Sequence, residues 1–420
     1  MTKQMNVPKL RFDEFDSCIS MRPISEVIKS YRLGGNYGNT MVPNSNPLMK
    51  MGNLGRGDFN LNKVEYIDSE NLIAEDDEMK YGDLFFNTRN TLELVGKVAI
   101  WRKELPRAFY NSNLLRLEFD NNFYFNYVFN SPPRIKALRR VATGTTSVAA
   151  VYTRDLLKIL VPTPCTKEQQ KIASFLSKVD EKIALLTEKK DKLIEYKKGV
   201  MQQLFNGKWE EQGGQLTFIP PTLRFKADDG SEFPDWKEVS LGDVLIPTFR
   251  EVDKPSDNYL AIGVRSHCKG TFQKPDSEPD KVAMDKLYVV KAGDLIVNIT
   301  FAWEGAIAIA KDEDDGGYVS HRFPTYLFNE DRLLGSFFES LFKQKRFRFD
   351  LDLISPGGAG RNRVLSKKEF LKLTVSVPSI NEQKKISEGL TLLQQKLDLA
   401  NSELEKAKEW KRGLLQQMFV

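Results

Sequence analysis

The chain repeats itself once, with the order of its segments kept. VPKLRF at Val7–Phe12 returns as PPTLRF at Pro220–Phe225, 213 residues later. GDLFFNT at Gly82–Thr88 returns as GDLIVNI at Gly293–Ile299, and Gly96-Lys-Val-Ala-Ile is echoed by Gly305-Ala-Ile-Ala-Ile. LKILVPTPCTKEQQKI at Leu157–Ile172 matches LKLTVSVPSINEQKKI at Leu371–Ile386, and YKKGVMQQLF at Tyr196–Phe205 matches WKRGLLQQMF at Trp410–Phe419, both at an offset of 214. A period above 200 residues is far too long for a solenoid repeat, so the chain holds two copies of a two-part unit. Its 420 residues also exceed what one ordinary core serves.

Each copy ends in a helical pattern. After Pro164, Ile172, Val179, Leu186, Leu193 and Val200 recur every seven residues, accompanied by Leu176, Ile183 and Leu204 and interrupted by Lys190 and Lys197. After Pro378 the series is Ile386, Leu393, Ala400, Ala407 and Leu414, with Leu390, Leu397, Leu404 and Met418 beside it. This is a coiled-coil seam, and at 1.5 Å per residue each helix makes a rod of roughly 57 Å. Thr166 and Asn381 are the expected N-caps, with Glu168 and Glu382 favourably placed in the first turn. Each stripe needs a partner. The other copy is the nearest one, and antiparallel pairing within the chain would create a pseudo-twofold axis. The alternatives are packing of each helix on its own domain or against another chain.

The remaining parts read as mixed α and β, because short runs such as NLLRLEF, DLIVNIT and GAIAIA are separated by Gly-, Asn- and Asp-rich turns. The expectation is an α+β fold in four stretches: a domain over 1–165, a helix over 166–208, a second domain over 209–379 and a second helix over 380–420. Trp209–Gly230 reads as the linker that opens the second copy.

Composition narrows the function. No apolar run approaches the roughly 18 residues of a membrane helix, and residues 1–20 carry no apolar signal core. Three scattered cysteines, Cys18, Cys165 and Cys268, fit a reducing cytoplasm rather than a disulfide framework. There is no GxxxxGK[ST] loop and no CxxC pair, and the adjacent His267-Cys268 is not spaced for a metal. Asn130-Ser-Pro-Pro133 only distantly resembles a methyltransferase loop and reads as a turn before a helix. Asp276, Glu278 and Asp280 lie in a Pro-flanked segment that reads as a solvated loop. Nothing in the sequence assembles an active centre.

Basic and polar clusters recur instead. In copy one Arg134, Lys136, Arg139 and Arg140 precede a loop containing Thr145, Thr146 and Ser147. In copy two Lys343, Lys345, Arg346 and Arg348 precede a Gly-rich loop ending in Arg361, Asn362 and Arg363. Arginine forks match guanine edges, asparagine matches adenine, and clustered cations neutralise phosphates. Arg89 and Asn90 follow the first GDL, and Asn298 and Thr300 the second; these face bases or cap a hairpin, while the GDL aspartate fixes a turn. Arg32, Asn36 and Tyr37 sit in an aromatic, Gly-containing segment that suits either a groove-reading loop or a variable surface. Net charge is only +5, and residues 209–379 carry 23 basic against 27 acidic groups, so polyanion binding there requires a local patch.

The duplicated Pro-x-x-x-Glu-Gln-x-x-Ile helix start and the Lys-(Lys/Arg)-Gly-x-x-Gln-Gln-hydrophobic-Phe helix end resemble those of the DNA specificity subunit of type I restriction–modification enzymes. The resemblance spans nearly the whole chain. It implies two target recognition domains, each reading half of a split DNA sequence, spaced by an antiparallel intramolecular coiled coil. It also implies partners: double-stranded DNA, two modification subunits carrying S-adenosylmethionine, and restriction subunits using ATP and Mg. The specificity chain itself would hold no cofactor, no metal and no catalytic group. Lys189, Lys190, Lys192 and the helix ends would serve docking. A coiled-coil scaffold that reads no DNA is the competing expectation.

Overall fold

The computed structural model describes residues 7–68, 73–212, 215–357 and 363–419. The chain divides into two compact units, one formed by 1–188 with 401–420 and the other by 189–400. Both are α+β, and both are built on the same frame.

In the first unit an antiparallel sheet runs in the order Ile28–Leu33, Leu114–Phe119, Leu84–Asn87, Val98–Ile100. The two inner-facing patterns of these strands explain their runs of apolar residues. Leu84, Phe86, Val98 and Ile100 enter one core, and the alternate residues Phe85, Ala99 and Trp101 enter another with Met49 and Tyr110. Strand periodicity thus divides one segment between two cores, which is why GDLFFNT and KVAIW are apolar on both faces. The helices Asn122–Phe129 and Pro132–Val141 follow; Asn121 caps the first by accepting from Tyr124 N–H at 3.0 Å, and Pro132 opens the second. A short strand pair, Ser20–Pro23 with Leu160–Thr163, brings the beginning of the unit beside the entry to the long helix.

The second unit repeats this order. Leu245–Thr248, Thr325–Phe328, Leu295–Val297 and Ile307–Ile309 form the matching antiparallel sheet, and Lys237–Ser240 pairs with Thr374–Val377. Leu295, Val297 and Ile307 enter one core while Ile296, Ala306 and Ala308 enter the other. Gly335–Phe342 and Lys345–Leu353 are the matching helices. Each unit also carries a second sheet, of four strands in the first and five in the second, and the edge strand Thr271–Ser277 of the latter contains Asp276. The segment expected as a loop is therefore partly a strand; Pro275 is tolerated because the strand lies at the sheet edge.

The long helices span Thr166–Leu204 and Ile380–Met418. Thr166 and Asn381 lie inside them rather than at the caps, one and two positions past Cys165 and Ser379, which precede the first helical residues. Within the first unit, Ile172, Leu176 and Val179 share a core with Leu414, Leu415 and Met418. Phe175 meets Trp410 edge-on at 6.2 Å, and Lys411 pairs with Asp180 at 2.6 Å. Within the second unit, Ile386 and Leu390 share a core with Leu204, and Lys197 donates to Gln394. In each unit the start of one helix packs against the end of the other, running antiparallel. Lys208–Gln212 and Gln215–Ile219 pair as a hairpin, so the stretch expected as a plain linker contains a strand pair.

Candidate nucleic-acid interface

The repeated motifs meet in space. The Arg11 guanidinium forks onto Glu168 at 2.7 and 2.8 Å, and Arg224 onto Glu382 at 3.0 and 2.6 Å. Both carboxylates are 0% exposed, and these charge-assisted bonds hold the guanidinium pKa values above the ordinary range. Next to them Gln169 donates to Pro164 O and Gln383 to Pro378 O, each at 3.0 Å. The LRF and Glu-Gln motifs therefore make one joint, which ties the entry of each copy to the first turn of its long helix. Local spacing in the sequence does not show this pairing; the shared repetition of the two motifs is the signal that does.

The GDL motif makes the second repeated device. Gly82 and Gly293 both have φ +87°, and the following aspartates accept from Lys80 N–H and Lys291 N–H at 2.8 Å. Asp294 is also held by both arms of Arg250, at 2.6 and 3.1 Å, while Arg116 reaches Asp83 only at 3.6 Å. After the motif, Asn87 and Asn298 turn their side-chain oxygens onto the N–H groups of Arg89 and Thr300, at 3.2 and 3.1 Å. Asn298, 8% exposed, thus caps its own turn. It also borders a cavity of about 450 Å³ lined by Tyr259, Phe272, Phe301, Tyr318 and Phe323.

This turn places the two separate groups of sequence candidates side by side in both units. In the first, Arg89–Asn90 pairs with Ala149–Ala150, which pairs with Thr143–Gly144. Thr145, Thr146 and Ser147 form the exposed tip of that hairpin: Thr145 and Ser147 hydroxyls lie 3.1 Å apart, and Thr146 O accepts from Leu92 N–H at 3.0 Å. Arg89 is exposed, and Asn90 turns its side-chain oxygen onto Thr91 N–H at 2.9 Å. Val151 N–H donates to Thr88 O at 3.0 Å, and in the second unit Leu365 N–H donates to Ile299 O at 2.8 Å. There Arg363 lies over the Trp303 ring at 5.1 Å, and Trp303 donates to Thr300 O at 3.2 Å.

The other candidates are distributed differently. Arg134 points inward and donates to Leu160 O, with burial lowering its pKa, whereas Arg139 and Arg140 stay exposed. In copy two Lys343 and Arg346 pair with Glu339 and Asp350 on their own helices, at 2.8 and 3.2 Å. Lys345 is exposed, while the Arg348 Nε is enclosed. Arg363 is bound to Asp352 at 2.7 Å and to Ser355 O at 3.0 Å, so its guanidinium is tied back to the end of the basic helix. Arg361 and Asn362 lie outside the described residues. Arg32 reaches Asp76 at 2.7 Å and Asp77 at 3.1 Å, and Tyr37 donates to Asp77 at 2.6 Å, which locks that segment together and leaves Asn36 exposed beside it. Among the described residues no His, Cys, Asp and Glu group could hold a metal, and no helix is long and apolar enough to cross a membrane.

A family described as the type I restriction modification DNA specificity domain matches twice, over residues 36–195 and 234–409. Two specificity subunits of Methanocaldococcus jannaschii are similar along the chain. The putative type I restriction enzyme MjaX subunit is 22% identical over 98% of this chain and 95% of its own length, and the MjaVIII subunit is 22% identical over 73% and 72%. Among solved structures, the S subunit of a type I system from M. genitalium aligns with a TM-score of 0.57 at 15% identity, covering 99% of both chains. A chain from a structural study of assembly and conformational transition in the type I R-M system aligns at 0.51 and 13% identity, covering 94% and 96%. At such identities these two likenesses speak for the fold alone. The doubled family match coincides with the doubled frame: this chain belongs to the type I restriction–modification DNA specificity family.

Proposed function

We propose that the chain is the non-catalytic, sequence-reading subunit of a type I restriction–modification complex, with each unit reading one half of a bipartite duplex. The observation that carries this reading is the juxtaposition of the segment after GDL with the loop after the basic helix in the first unit, and with Arg363 and Leu365, which follow the corresponding loop, in the second. Segments far apart in sequence thus meet on one frame, and the strand order of its main sheet repeats while the residues brought together differ. That is what two readers of different half-sites require: a common scaffold and variable polar tips.

The long helices set the spacing of the two readers, which discriminates against sites with the wrong gap. Joining two half-site readers in one chain raises affinity through effective concentration without new contacts. Two modification subunits dock on the helices and supply S-adenosylmethionine, and restriction subunits supply ATP and Mg; this chain holds none of these. The test combines the chain with its modification subunits and maps methylated adenines. A split motif with a constant gap is expected, together with duplex binding that weakens steeply with salt. Duplex binding indifferent to sequence and gap would favour the scaffold reading instead.

A further inference from the structure

One cleft of the first unit is built from residues that the repeated frame does not require. It measures about 760 Å³ and has an apolar floor of Tyr127, Pro132, Ile135 and Leu415. Arg56, Lys136, Arg139 and Arg140 line it from the globular part, and Lys408, Lys411 and Arg412 from the end of the second long helix. No acidic residue lines it. The three helix cations have carboxylates nearby: Glu405 at 2.9 Å from Lys408, Asp180 at 2.6 Å from Lys411 and Glu409 at 3.6 Å from Arg412.

The other four have no carboxylate partner among the described residues. Arg56 and Arg139 both donate to the Glu93 carbonyl, at 3.4 and 3.2 Å, so two guanidiniums share one neutral acceptor. Arg56 Nη1 is enclosed with no acceptor, and burial together with the Arg139 charge lowers the Arg56 pKa. Crowding like charges in a partly enclosed site is unfavourable unless an anion completes it. Fold alone does not demand the cluster. Aligning the helix Pro132–Val141 with Lys345–Leu353 puts Phe349, Asp352 and Leu353 where copy one has Lys136, Arg139 and Arg140.

We propose that this cleft is a phosphate-binding site. Arginine forks match phosphate oxygens, and phosphate brings the most negative charge into the smallest space. The phosphate belongs either to the duplex backbone or to a free phosphorylated ligand; only the first source rests on the reading function proposed above.

The experiment uses the full chain and the double variant Lys136→Gln/Arg140→Gln, whose replaced side chains are exposed and make no ion pair among the described residues. Calorimetry with pyrophosphate, with citrate as a carboxylate control, reads the cleft directly. The parent is expected to prefer pyrophosphate, and the double variant to bind it at least about tenfold more weakly with unchanged thermal unfolding. The salt dependence of duplex binding then separates the sources. If backbone phosphates occupy the cleft, the slope of log K against log salt falls by about two in the variant, for any sequence. If a free ligand occupies it, the slope stays constant while pyrophosphate binding is lost. Equal affinity for citrate and pyrophosphate, or unchanged pyrophosphate binding in the variant, overturns the proposal. A parent chain with no salt-dependent duplex binding would instead refute the reading function and leave the pyrophosphate result standing.

Discussion

At the scale of single residues, the Arg–Glu joints combine full burial with opposite charge. Replacing Arg11 by Met strands the Glu168 carboxylate without its fork, and should cost about 3–5 kcal/mol in a urea titration. The double replacement Arg11→Met/Glu168→Met should recover most of that loss, because an apolar pair of similar volume is close to neutral. The GDL aspartates offer a graded comparison: Asp294→Ala loses both arms of Arg250 as well as the turn bond and should destabilise more than Asp83→Ala, whose arginine stands 3.6 Å away. The turn role of the GDL aspartate was legible from sequence. The role of Glu168 was legible only as a first-turn acid, because its partner lies 157 residues away and no local pattern announces it.

At the scale of elements, the seven-residue periodicity located both long helices, since a stripe sustained over many turns has no competing explanation. The short strands were harder to place. Thr271–Ser277 contains Pro and Asp, and its strand character comes from pairing with Tyr259–Val264 rather than from its own composition. The strand pair after Leu204 was hidden because the EEQGG and ADDG stretches of the sequence read as a linker. The helix ends draw their stability from packing within a unit. Leu176→Ala, at a fully buried position shared with Leu415 and Met418, should lose about 2–5 kcal/mol, measured by denaturant midpoint. The neighbouring exposed Lys178 is the surface control.

At the scale of the whole molecule, the proposed reading function divides into separable parts. Arg89→Ala with Thr145→Ala should weaken discrimination at one half-site by about 1–3 kcal/mol per lost base contact and leave the other half unchanged. Competition assays with half-site mutants measure this, and equal losses at both halves would contradict separate readers. Inserting one heptad into each long helix adds about 10.5 Å per helix, so the preferred gap should lengthen by about three base pairs in a selection from random-gap duplexes. Two readers and two helices were visible in the repeats. Which side chains touch bases was not, because Arg134 and Arg363 look like free cations in sequence and are drawn into backbone contacts by the fold.

The first unit is closed by residues 401–419, whose Leu414, Met418 and Phe419 cover Ile172, Leu176 and Tyr124. A ribosome delivers those residues more than two hundred codons after Glu188, so this half emerges first and is finished last. Until residues 401–419 emerge, its greasy helix flank waits uncovered, and a nascent chain halted before residue 401 should be a preferred client for chaperones and proteases.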